Sequence, residues 1–233
     1  MTKQLQAYFN DKKVKAKYVK RIECHRKADE IIHGTYWENG KGCAIGCILE
    51  KPTGCHKLFE TELGLPEWLA HLVDYLFEAM GNGKAKEFPE QVLKSIKLGV
   101  NLDLTYHKFC LFLLKEICED TDNPIIKPSI DKIIELHTRI LTYKKVSDEE
   151  WSEARSAAES AAESAAGSAE SAARSAESAA WSAAWSAESA AESAESAAES
   201  AESAAESAAW SAAESAAVQK IADKLIELLK DTE

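Results

Sequence analysis

The chain has 233 residues, 28 Lys and Arg against 39 Asp and Glu for a net charge of −11, and a hydrophobic fraction of 45%. That length holds one or two domains with a true core, and the composition excludes collagen-like and typical disordered chains. The acidity is concentrated, since residues 1–150 carry 23 basic and 23 acidic side chains whereas residues 151–217 carry 2 against 12; direct nucleic-acid binding, which needs clustered cations, is not expected.

Met1–Lys20 is polar and lysine-rich without a secretory apolar core, and no run approaches the roughly 18 apolar residues of a membrane span. A cytoplasmic, membrane-free protein is expected, and its six cysteines should be thiols or metal ligands rather than a disulfide framework. In chain order, Tyr18, Ile22, His25, Asp29 and Ile32 recur at helical spacing before Gly34, predicting a first helix that ends at that glycine. Residues 34–42 read as a loop. Cys43–Glu50 reads as a short helix or a short strand.

Pro66 opens a broad apolar stripe through Trp68, Leu69, Leu72, Val73, Leu76, Phe77 and Met80, a core helix stopped by Gly81. Pro89 starts a helix with Val92, Leu93 and Ile96 inward, Asp103 starts another, and Ser129 can cap one carrying Ile130, Ile133, Ile134 and His137. Ser147-Asp-Glu-Glu150 is a capping box flanked by the staple positions Val146 and Trp151. The fold class is therefore all-α, with a multi-helix domain over 1–146, a Ser-Ala-Ala-Glu repeat helix over 147–217 and an amphipathic helix end over 218–233.

Serines at 152 to 215 take 17 steps over 63 residues, a mean of 3.7. This matches a helix and lies near the 3.67 of an 11-residue repeat, which winds straight or slightly right-handed. At about 100° per residue the repeat has an alanine face, a serine edge and a glutamate edge. Unbroken, it would extend roughly 120 Å. The closing stripe of Val218, Ile221, Leu225, Leu228 and Leu229 needs cover, either by folding back onto the first domain or by pairing two chains, a homodimer through the alanine face being one arrangement. Trp181, Trp185 and Trp210 replace glutamates and are candidate partner-binding anchors, or they pack within the protein.

Chemistry concentrates in NGKGCAIGC, residues 39–47. Gly42 and Lys41 beside a helical first turn would favour a Cys43 thiolate, with His25 as base and Asp29 as its orienting acceptor in a catalytic arrangement. The structural alternative has buried His25 and Asp29 tie down the loop by hydrogen bonds. A zinc site on Cys43 and Cys47 with two of Cys55, His56 or His25 is a further alternative, with spacing looser than that of established fingers. No nucleotide-binding, serine-hydrolase, zinc-protease or calcium-loop motif is present.

His25-Arg-Lys-Ala-Asp29, Gly34-Thr-Tyr-Trp37-Glu-Asn-Gly-Lys-Gly-Cys43-Ala-Ile-Gly-Cys47 and Glu60-Thr-Glu-Leu-Gly-Leu-Pro66-Glu-Trp-Leu-Ala resemble an uncharacterised family of bacterial and phage-borne proteins. That resemblance implies a domain of this size joined to an alanine-rich repeat ending in a segment like Ala222–Leu229. It transfers an architecture and no mechanism. The leading expectation is a non-enzymatic protein that binds a protein partner through its helical domain and acidic helix, with interference in a host system implied by the phage association. A cysteine-dependent enzyme or small-ligand site is the alternative. A third reading, an ice-binding rod, fits the 11-residue period but not the glutamates, and thermal hysteresis would test it.

Overall fold

The computed structural model describes residues 4–51, 56–80, 84–120, 124–165 and 216–232, with residues 116–120 described as backbone. The described part is helical apart from one two-stranded hairpin, an all-α fold. By its packing the chain divides into two compact units, Met1–Phe109 with Ala213–Glu233, and Cys110–Ala212. None of the described helices is long and apolar enough to cross a membrane.

In the first unit, helix α1 (Lys12–Lys27) starts where Asp11 accepts from the Lys13 amide at 2.7 Å and ends in His25, Arg26 and Lys27, cations suited to a helix C-terminus. It stops well short of Gly34. Asp29 takes a positive φ of 57°, and the chain leaves the helix so that Ile31, not Ile32, is fully buried and bridged to Gly42. The expected buried stripe thus ends at Ile22, and Asp29 comes out 79% exposed beside Lys86.

Residues 34–42 are more ordered than a loop. Strand β1 (Trp37–Glu38) pairs antiparallel with β2 (Lys41–Gly42), Trp37 opposite Gly42, around an Asn39-Gly40 turn with both φ positive. Helix α2 (Ala44–Leu49) follows at once, settling the helix-or-strand alternative, and every residue of it is buried. A tight turn (Phe59–Leu63) leads into α3 (Glu67–Ala79), with Pro66 immediately before its first turn and Leu69, Ala70, Val73, Leu76 and Phe77 buried. Helix α4 (Phe88–Ser95) carries Pro89 in its first turn, and α5 (Asp103–Asp120) begins in this unit, which its residues leave after Phe109. Before α1, Tyr8, Phe9 and Asn10 form a left-handed turn, held by a Tyr8 hydroxyl that donates to the Leu93 carbonyl at 2.6 Å.

The helix over 216–231 belongs to this same unit. Ala222, Leu225 and Leu229 are fully buried there, and the hydroxyls of Thr105 and Thr232 hydrogen-bond at 2.7 Å. Of the two ways of covering the C-terminal stripe, the chain uses the fold-back.

In the second unit, helix α6 (Lys127–Leu141) begins two residues before Ser129, with Pro128 in its first turn. Ser129 therefore does not cap it, and its hydroxyl donates instead to Ala157 O at 3.4 Å. The capping box forms as the sequence indicates: Glu150 N donates to Ser147 Oγ at 3.2 Å, and Ser147 N donates to Glu150 Oε2 at 2.9 Å. The repeat helix is described over 148–165, where Ala154 is buried and Ala158, Ala161 and Ala165 are half-buried along one stripe. Trp151 meets His137 edge to face, ring centroids 4.9 Å apart.

Candidate functional site

The hairpin delivers Cys43 to the start of α2. Its amide donates to Thr35 O at 2.6 Å, and its Sγ accepts from the Gly46 amide at 3.4 Å. Segment 35–37 lies so close to α2 that a Cβ at Gly42 or Gly46 would sit 2.2 or 1.5 Å from Tyr36 O. Only glycine admits that approach. Cys43 is left 3% exposed, and burial pushes its thiol up to about 12, with the nearby Asp74 charge acting the same way against the Gly46 bond. Loss of hydration outweighs the Gly46 and Ile45 amides, which pull the thiol the other way, and Lys41 is exposed.

Cys47, one turn on, is also buried, and burial pushes it up to about 12, with Cys43 next in effect. Its thiol donates to Gly42 O at 3.3 Å and faces Glu30 O at 3.7 Å. It is a fastening for the hairpin and stands outside the cluster described next.

That cluster comes from α3. Asp74 and Glu78 are four residues apart, hence on one side of the helix, and one donor oxygen from each lies with Cys43 Sγ so that all three are within 4.8 Å of one another. His56 Nε2 donates to Asp74 Oδ2 at 3.1 Å, while Oδ1 is buried with no hydrogen-bond partner among the described residues. The His56 ring stacks on His71 at 3.9 Å. Both Glu78 oxygens accept from the Gly34 amide, at 3.0 and 3.2 Å, and His33 Nε2 donates to Phe77 O at 3.0 Å, so the segment before the hairpin is tied to the end of α3.

The residues expected to act together have separate partners. The two ring nitrogens of His25 face Glu30 Oε2 at 2.6 Å and Glu50 Oε1 at 3.1 Å, its ring meets Trp37 edge on, and Arg21 reaches Glu50 at 3.1 Å. Asp29 pairs with Lys86. Neither stands as base or orienting acid to Cys43, whose thiol faces Asp74. His25 hydrogen-bonds Glu30 and Glu50, neither of them in the 34–42 segment, and reaches that segment only through its ring contact with Trp37, while Asp29 is exposed, so the hydrogen bonds to the loop that the structural alternative expects are not formed by this pair. Of the zinc set, Cys43 and His56 converge on Asp74, Cys47 bonds backbone carbonyls, and Cys55 lies outside the described residues. Trp181, Trp185 and Trp210 lie outside them too.

Asp74 and Glu78 are the site residues that motif reading passed over. Their only signal is a pair of carboxylates at i, i+4 on a helix otherwise read for its apolar stripe. Comparison with family models, with curated proteins and with solved structures finds no match to this chain.

Proposed function

We infer that this is a non-enzymatic binding protein that presents its acidic repeat to a basic protein partner. The reading rests chiefly on the C-terminal helix: the segment that follows the repeat packs in the N-terminal unit, with Ala222, Leu225 and Leu229 buried there. The near end of the repeat is secured by the capping box and by the Arg139–Glu150 ion pair. Between these anchors the sequence places a charge of −10 over residues 151–217, on a helix-forming background of alanine. A helix edge of regularly spaced glutamates suits a partner's basic groove, and occupying such a groove in a host protein is the form that phage-borne interference would take. The enzymatic alternative needs a Cys43 thiolate at neutral pH, and a buried thiol pushed up to about 12 opposes it.

The test titrates the full chain with an oligolysine peptide at rising salt. Binding that weakens steeply with salt, is lost when the repeat glutamates become glutamine, and weakens when proline replaces alternate repeat alanines without changing charge supports the reading. Absence of binding at low salt, or indifference to the glutamine replacements, overturns it.

A further inference from the structure

We propose that Cys43, Asp74 and Glu78 form a binding site for one divalent metal ion of the zinc class. This goes beyond the partner-binding reading and stands on different residues.

The geometry is that of a donor set. Zinc binds sulfur, nitrogen and carboxylate oxygen at about 2.0–2.3 Å, which puts tetrahedral ligands roughly 3.3–3.8 Å apart. The three donor atoms lie within 4.8 Å of one another, at most about 1 Å beyond that spacing. They come from two rigid places, the start of α2 and adjacent turns of α3.

The electrostatics favour a cation. Among the described residues Glu78 is in no ion pair, and the one ion-pair partner of Asp74 is His56. No described lysine or arginine pairs with these two carboxylates beside the buried thiol. Asp74 Oδ1 has no hydrogen-bond partner among the described residues and is shut off from water, and this is the independent sign that something is to be bound, because a buried carboxylate oxygen normally finds a donor.

The surroundings are those of an ordered metal site. His56 holds Asp74 Oδ2 and so leaves Oδ1 for the ion, the Gly34 amide fixes Glu78, and the Gly46 amide already points at the sulfur. On binding, the Cys43 thiol proton leaves to solvent and the S–H bond is replaced by a sulfur–metal bond, with no change in oxidation state. Calcium and magnesium, which take oxygen sets, do not suit a sulfur donor. Three protein ligands leave a fourth position for water or another donor.

The test uses cobalt(II), whose bond to a thiolate gives an ultraviolet charge-transfer band. Added to the reduced full chain, cobalt(II) is expected to give that band at one ion per chain, and one equivalent of zinc is expected to abolish it. Cys43→Ser should lose the band, and Cys47→Ser, in which serine keeps the donor to Gly42 O, should retain it. Asp74→Asn and Glu78→Gln should each weaken cobalt binding by roughly tenfold or more. These two variants decide the matter if Cys43→Ser loses its helical circular dichroism. A folded chain with no band, a band that survives in Cys43→Ser, or unchanged affinity in both carboxylate variants overturns the site and leaves the partner-binding reading untouched.

Discussion

The N-terminal unit and the described start of the repeat are both helical and are stabilised in opposite ways. In the unit, Tyr8, Tyr18, Phe59, Phe77 and Phe88 are fully buried, and helix α2 has no exposed face at all. Over 148–165 Ala154 is the one buried residue, and glutamates and serines face water. Large side chains bury area and make one unit cooperative; alanine buries little and leaves helix propensity and end-capping to carry the other. The consequence is a division of labour in which one region bears the packing energy and the other offers surface. The C-terminal helix sides with the first region, because Leu225, Ile226 and Leu229 join Ala222 in its buried stripe.

Five substitutions sharpen or break this contrast. Gly46→Ala is expected to have the largest effect: its Cβ would meet Tyr36 O at 1.5 Å, and neither backbone can retreat. A loss above about 4 kcal/mol, or no cooperative urea transition, is expected. Leu225→Ala should cost about 3 kcal/mol in the same transition, whereas Ala157→Gly in the repeat should cost at most about 1 kcal/mol. Equal losses would erase the distinction between the regions.

Glu90 comes next. Burial alone would raise its pKa, but bonds from Lys94 and from Arg26 at 2.6 Å outweigh burial and hold it below the ordinary 4.5. A depressed folded-state pKa means that the stabilisation is present above pH 4.5 and is lost as pH falls through the lower folded-state value. Glu90→Gln should therefore cost about 1.5 kcal/mol at neutral pH and flatten the acid limb of a stability profile; an unchanged acid limb would show that Glu90 contributes nothing. Ser147→Ala should cost about 1 kcal/mol of helix stability, read as lost ellipticity on mild heating with the unfolding of the N-terminal unit unmoved.

Those parts of the fold written in local chemistry were legible in the sequence. Pro66 and the Trp68–Phe77 stripe located α3, Pro89 located α4, and Ser147 with Glu150 located the start of the repeat helix. The end of α1 was not, because Ile32 continues the helical spacing that Asp29 breaks with a positive φ. Asn39-Gly40 was a hairpin signal in plain view, obscured by strands only two residues long. At the candidate site the glycine-rich loop pointed to Cys43. Asp74 and Glu78 were hidden, since nothing local says that two carboxylates on a core helix will meet a thiol delivered by a distant hairpin.

The placement of the C-terminal helix in the N-terminal unit is tested most directly by native-state hydrogen exchange of the full chain. Amides over residues 221–229 should be protected to the level of α3, opening only with global unfolding, while those of 148–165 exchange orders of magnitude faster. Equal, fast exchange in the two segments would mean that the C-terminal helix is not part of the core, and the partner-binding reading would fall with it.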